Sequence, residues 1–300
     1  MEIALELACF HVTESGAIVN RESHPFAVPV APIAPIALLP SSLSALNPVL
    51  RDDLKRYGCS GDGGYVLPRK SVDGIDGLLS FGLSYDWTFE KDVAAHCPGI
   101  PIHVYDHTAG VPALRRNVAA GLVKLIAGRI GGSEFSTRVA RFRDYGRFFV
   151  GETRRHFRER IYNRKELPFD ATIDHVFARM EGRRNLLLKM DIECGEYRVI
   201  PQILGYADRI RLMVIEFHET EPYRAVFLQQ VEAILSEFEV AHIHGNNYTS
   251  VAADGFPDAV EVTFIKRNGQ VESARRNRLP LVGLDYPCDP ARGDLPLVFR

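Results

Sequence analysis

Apolar and polar positions follow two rhythms along this chain. Short apolar runs with β-branched and aromatic character recur at "GLLSFG" (77–82), "IPIHVYD" (100–106), "NLLLKMDIE" (185–193), "IRLMVIEFH" (210–218), "EVAHIHG" (239–245) and "DAVEVTFIKR" (258–267). Between them lie "WTFEKDVAAHC" (87–97), "PALRRNVAAG" (112–121), "GEYRVIPQIL" (195–204) and "YRAVFLQQVEAILSEF" (223–238), where apolar residues return at helical spacing. The run "LVKLIAG" (122–128) reads as the third strand. Short buried strands alternating with helices predict βαβ units, hence an α/β fold with a mostly parallel sheet covered on both faces.

In such a sheet ligands bind beyond the carboxyl ends of the strands. Those ends carry Gly82, Asp106, Asp191 with Glu193, Glu216 with His218, and His244 with Asn246 and Asn247. The stretch "LLLKMDIECGEYRVI" (186–200) therefore reads as a buried strand whose carboxylates project into a site. Asp191 reads as functional. Glu196 reads as a favourable charge at the start of the next helix, and His242 as a core histidine.

Composition adds limits. A chain of 300 residues with net charge −2 and five scattered cysteines, none paired as CxxC, has no global pull toward nucleic acid and no disulfide framework, which points to a reducing, cytoplasmic setting. The stretch "FAVPVAPIAPIALLP" (26–40) is too rich in proline to span a membrane as a helix. Residues 1–50 read as a polyproline-like leader, the folded body taking hold from about Ser41, and residues 51–300 as one domain.

"SFGLSYDWTFE" (80–90) places Gly82 between a strand and a helix start, where backbone approaches a cofactor, and Asp106 ends the next strand 24 residues further on, at the spacing of a ribose-binding acid. The turn lacks a full GxGxxG, which suits a cofactor without a pyrophosphate, such as S-adenosylmethionine. In order, "DGGYVLP", "LLSFGLSYDWTFE", "ATIDHVF", "LLLKMDIECGEYRVI", "VIEFHE", "HIHGNNY", "DAVEVTFIKR" and "LPLVGLDYPCDP" resemble the FkbM-type S-adenosylmethionine-dependent methyltransferases, from about Leu54 to Phe299. One departure is that Cys194 and Gly195 stand where that family has Gly and Ala.

The resemblance implies a Rossmann-like class I methyltransferase fold, with seven strands including a final antiparallel one, and methyl transfer to a hydroxyl oxygen. Ser80, Phe81 and Gly82 would line the methionine part of the cofactor, Asp86 and Glu90 would flank the loop and helix start, and Asp106 would hold the ribose, with Asp191 alongside. "DGGYVLP" would form a hairpin near the pocket, with Asp62 or Tyr65 at the cofactor's amino-acid end. Because an aliphatic hydroxyl is weakly acidic, a base or Lewis acid must assist. The candidates are Asp191, His218 and His244, with His218 as general base and Asp191 orienting it or the substrate. Asp191, Glu193, Glu216, His218 and His244 alternatively form a hard donor set for magnesium or manganese.

The segment at about 133–170 is dense in arginine interleaved with Phe and Tyr, and reads as an insertion: a solvated helical face, or a clamp for an anionic acceptor. The expected acceptor is a small polar molecule or glycan, with no nucleic acid. The rival functions are an NAD(P)-binding oxidoreductase and a non-catalytic binding protein acting through the arginine-rich segment.

Overall fold

The computed structural model describes residues 38–267 and 274–300. The proline-dense stretch up to residue 37 lies outside the described residues, and so does Cys9. The packed body takes in residues that the sequence reading gave to the leader. Leu39, Leu43, Leu46 and Val49 are buried, the middle two on a 3-10 turn over Ser41–Leu46.

The strands are β1 (Leu54–Tyr57), β2 (Tyr65–Pro68), β3 (Gly77–Phe81), β4 (Ile102–Tyr105), β5 (Arg154–Phe157), the short pair β6 (Arg160–Ile161) and β7 (Asp170–Ala171), β8 (Leu186–Met190), β9 (Ile210–Phe217), β10 (Phe238–Gly245), β11 (Val260–Lys266), and the short pair β12 (Arg278–Leu279) and β13 (Leu297–Val298). The helices are α1 (Arg69–Val72), α2 (Thr88–His96), α3 (Val111–Ile126), α4 (Gly132–Phe148), α5 (Ile173–Ala178), α6 (Glu196–Leu204) and α7 (Arg224–Leu235). Seven strands form the main sheet in the order β10-β11-β9-β8-β3-β4-β5. β11 runs antiparallel to both neighbours and the other pairs are parallel. This is the Rossmann-like α/β architecture expected from the strand rhythm, with its one antiparallel strand.

Because side chains alternate along a strand, a strand buried on both faces must be apolar throughout. Leu186, Leu188 and Met190 face a core built with α5, α6 and α7, whereas Leu187 faces a second core built with α2, α3 and α4. β3 divides likewise: Leu79 and Phe81 go to the first core and Leu78 to the second. Tyr57, Tyr65 and Leu67 of the β1–β2 hairpin complete the second core, and Thr263 Oγ1 on β11 donates to Val66 O (2.8 Å) to tie the hairpin to the sheet.

Two elements differ from the sequence reading. "LVKLIAG" continues the helix before it, so the third strand of the sheet is β5, inside the arginine-rich segment. β5 reads "RRHF" and sits at the sheet edge, where one side is unpaired and an apolar alternation is not required. Among the described residues no helix is long and apolar enough to cross a membrane.

The carboxyl ends of the central strands are stitched together at Gly82. Its N–H donates to Tyr105 O (3.0 Å), and Asp191 N–H donates to Phe81 O (2.9 Å). Gly82 adopts φ +84°, and a Cβ there would lie 1.8 Å from Asp191 O. Only glycine permits both the left-handed backbone and the contact. Gly82→Ala is expected to cost at least about 2 kcal/mol, read as a fall in urea midpoint; a stability indistinguishable from the unsubstituted chain would refute the close approach.

Candidate active site

One face of the sheet carries a row of buried polar residues among the apolar ones. Ser80, Lys189, Glu216, Glu261 and His244 are all buried, one each from β3, β8, β9, β11 and β10. Their strand neighbours Phe81, Met190, Ile215, Val260 and Ile243 all face the first core, so alternation turns the polar residues toward α2 and the hairpin. The register sets Ser80 beside Lys189, Glu216 beside Glu261, and Glu261 beside His244.

Lys189 holds the centre of this row. Its Nζ donates to Gly82 O (2.7 Å) and lies 3.4 Å from Asp191 Oδ2. Burial disfavours the ammonium, but the charges of Asp191, Glu90 and Glu216 outweigh it and hold the lysine protonated. Ser80 Oγ donates to Glu90 Oε1 (2.5 Å), which brings the first turn of α2 against the strand. Tyr65 OH donates to Asp191 Oδ2 (3.4 Å), so the hairpin does close on the site as the "DGGYVLP" motif suggested. Asp62 is solvent-exposed as a residue, yet its carboxyl is pushed up to about 6, first by desolvation and then by the charges of Asp191 and Glu261.

His218 follows β9 and is oriented by Glu196. Its Nδ1 donates to Glu196 Oε1 (2.7 Å), while Nε2 stands 3.7 Å from each of Asp191 Oδ1, Glu193 Oε2 and Glu216 Oε1. The expectation that Asp191 orients His218 is thereby corrected, since 3.7 Å is beyond a hydrogen bond. Glu196 does occupy the first turn of α6, as expected, but it is fully buried and its carboxylate serves the histidine. Burial works against a charged His218, and the bond to Glu196 together with the neighbouring carboxylates outweighs it, raising its pKa well above the ordinary imidazole value. An imidazolium has no lone pair, so in this arrangement His218 is not poised as a general base. Glu216, crowded by desolvation and by Asp191 and Glu261, is itself held well above the usual carboxylate range.

His244 stands apart from this group. Its Nδ1 meets Glu261 Oε2 (3.1 Å) and its Nε2 meets Asp294 Oδ1 (2.9 Å), with Cys288 Sγ 3.8 Å from Glu261 Oε1. The single metal set anticipated from sequence thus divides in two: Asp191, Glu216 and His218 converge in one place, and His244, Glu261 and Cys288 in another. Asp285 accepts from His242 Nε2 (2.8 Å), so His242 is a buried structural histidine.

Asp106 ends β4 as expected, but its carboxylate already accepts five bonds. Leu83 and Ser84 N–H reach Oδ2, both at 2.9 Å, while Thr108 N–H, Thr108 Oγ1 and Ala109 N–H reach Oδ1 at 2.7, 2.6 and 3.0 Å. It clasps the loop that follows β3 to the loop that follows β4. Asp86 Oδ1 accepts from Thr88 N–H (2.7 Å) at the start of α2. The arginine-rich segment abuts the same edge: His156 Nε2 lies 3.0 Å from Asp106 O, and the ring of His107 stacks on Phe169. α4 is docked on the body by Asp144, which accepts from Trp87 Nε1 (2.8 Å) and Lys91 Nζ (2.9 Å).

A scan against protein families finds no match, and a search of curated proteins finds none either. Solved structures with a similar fold include precorrin-6y C5,15-methyltransferase from Geobacter metallireducens, 10% identical, covering 66% of this chain and 86% of that one with a TM-score of 0.34. A fibrillarin/Nop5p complex matches at 10% identity over 74% of this chain and 98% of that one, with a TM-score of 0.33. Scores this low carry no functional argument.

Burial opposes ionisation of Asp106, but the bonds from Thr108, Leu83, Ser84 and Ala109 prevail and pull its pKa down to about 2. A depressed folded-state pKa contributes stability that is complete above the unfolded value near 3.8 and fades as pH falls toward 2. Asp106→Asn is expected to cost up to about 2 kcal/mol at pH 7, the gap closing below about pH 3. Equal penalties in urea titrations at the two pH values would refute the ionic clasp.

Proposed function

We propose that this chain is an S-adenosylmethionine-dependent O-methyltransferase that methylates a hydroxyl of a small polar acceptor, a sugar, glycan or polyketide-like compound. The observation that carries the reading is the Gly82 turn at the end of the central strand, where backbone runs bare against Asp191, with Asp106 clasping the adjoining loops. A cofactor with a sulfonium and an ammonium group suits a pocket in which carboxylates outnumber cations. In this reading Ser80, Phe81 and Gly82 line the cofactor's methionine part, Asp86, Glu90 and Asp106 shape its loops, and ribose hydroxyls share the Asp106 carboxylate.

Methyl transfer breaks the sulfonium carbon–sulfur bond and forms a carbon–oxygen bond, while the hydroxyl proton passes to a base. Alignment of the oxygen with the methyl carbon supplies most of the acceleration. Asp191 takes the proton: it is 28% exposed and its Oδ1 faces the open side of His218. His218 binds the acceptor oxygen, and His244, gripped on both ring nitrogens, organises the carboxyl-terminal tail as a wall of the pocket.

Calorimetric titration of the full chain with S-adenosylhomocysteine is expected to show micromolar binding that NADH does not compete with. No binding, or preference for NADH, would overturn the reading in favour of an oxidoreductase or a cofactor-free binding protein. His218→Gln is expected to leave S-adenosylhomocysteine affinity within about threefold and to lower transfer from labelled S-adenosylmethionine by about 100-fold or more. Full turnover in that variant would remove His218 from the chemistry.

A further inference from the structure

Three carboxylates crowd one imidazole nitrogen. His218 Nε2 is 3.7 Å from Asp191 Oδ1, from Glu193 Oε2 and from Glu216 Oε1, hydrogen-bonded to none of them. A hydrogen bond would draw one partner to about 3 Å and release the others; the equal separations leave room for an ion between the ring nitrogen and the carboxylates. Atoms each about 2.0–2.2 Å from one ion are at most about 4.4 Å apart, and the 3.7 Å separations from His218 Nε2 fall inside that limit. The ligand atoms of Asp191, Glu216 and His218 all lie within 4.8 Å of one another.

The surroundings support the same centre. Behind the ring, His218 Nδ1 is tied to Glu196 Oε1 at 2.7 Å, and Glu196 is fully buried. A carboxylate on the far nitrogen is what fixes the tautomer and direction of a metal-binding histidine. Glu216 is 2% exposed and accepts from Asn246 Nδ2 (2.7 Å), which fixes the direction of its carboxyl group. Asp191 is partly open to solvent, which provides a way in.

We propose that Asp191, Glu216 and His218 form a divalent-cation site, with Glu196 as the positioning carboxylate behind His218 and Glu193 at its exposed side. Two carboxylate oxygens and one imidazole nitrogen suit a cation of the manganese or magnesium class, which on binding takes the place of the proton that His218 otherwise carries. The His244 cluster fits less well, because both ring nitrogens are already engaged by carboxylates at 2.9 and 3.1 Å and an ion would have to break those contacts. For its catalytic use the site rests on the methyltransferase reading: with the cation present, the cation and not the His218 ring would hold the acceptor oxygen, and it would lower the pKa of its hydroxyl. Occupancy by the ion does not depend on that reading.

The test is calorimetric titration of the chelator-dialysed full chain with manganese chloride, with S-adenosylhomocysteine titrated into the same preparation. One manganese per chain is expected, with affinity lowered at least tenfold in His218→Ala and in Glu216→Gln, and roughly tenfold in Glu196→Gln, which keeps the shape but weakens the hold on the ring. Circular dichroism verifies each fold; Asp191→Asn, at a partly exposed position, serves where a buried variant does not fold. Absence of manganese binding in the unsubstituted chain, or equal affinity in all folded variants, would overturn the site. Binding of S-adenosylhomocysteine without manganese would defeat the site and leave the methyltransferase reading standing, whereas manganese without S-adenosylhomocysteine would do the reverse.

Discussion

The structure around the site depends on one buried ammonium. Lys189 sits on the central strand where every neighbour along the run is a large apolar residue, and its Nζ is spent on Gly82 O and on the field of Asp191, Glu90 and Glu216. Taking a lysine and its counter-charges out of water is expensive, and removing one partner leaves the rest uncompensated. The lysine therefore couples features that could otherwise drift apart: the Gly82 turn, the carboxylate that ends β8, and the first turn of α2 where Glu90 holds Ser80. A shift of any of these exposes a charge to a low-dielectric interior.

Beyond α2, covering this polar row falls to segments outside the helices of the α/β layers. The β1–β2 hairpin brings Tyr65 over Asp191, and the tail brings Asp285 to His242 and Asp294 to His244. Asn247 fastens the tail by donating from Nδ2 to Asp289 O (3.0 Å) and accepting from Asp289 N–H on Oδ1 (2.6 Å). The tail is thus bound both through the polar residues that it covers and through Leu279, Leu297 and Phe299, which join the first core. Its docking and the local charge balance are linked, because Asp294 adds a carboxylate beside His244.

The strands that carry the site were legible in the sequence because their apolar runs are long and sharply bounded, and their polar carboxyl ends could be read directly once the sheet was taken as parallel. β5 was not legible: an edge strand needs no apolar alternation, and "RRHF" within an arginine-rich run gives none. "LVKLIAG" misled because an apolar run is ambiguous between strand and helix until its preceding turn is known. Glu196 could be placed at a helix start but not on His218, since the contact joins positions 22 residues apart across two elements. Lys189 does carry a signal in the sequence: a lone lysine inside "LLLKM" has to find a carboxylate or a carbonyl. The partners of His244 were out of reach for a simpler reason, as Asp294 lies 50 residues away in a tail with no regular pattern.

The turn between β8 and α6 shows why one short stretch can carry three acidic residues. Glu193 and Cys194 both adopt left-handed backbone, with φ of +52° and +66°, a conformation that costs of order 1–3 kcal/mol for each non-glycine residue. That reversal sets Glu196 behind the ring of His218 while Glu193 and Asp191 stand before it, all 3.7 Å or less from a ring nitrogen. An unstrained turn of the same length would carry Glu193 and Glu196 in other directions, and the histidine would lose its clamp or one of its facing carboxylates. A glycine at position 194 would adopt the same φ without penalty. The turn is left-handed although the residue there does not favour it, which fits a loop whose shape is set by what its carboxylates must surround.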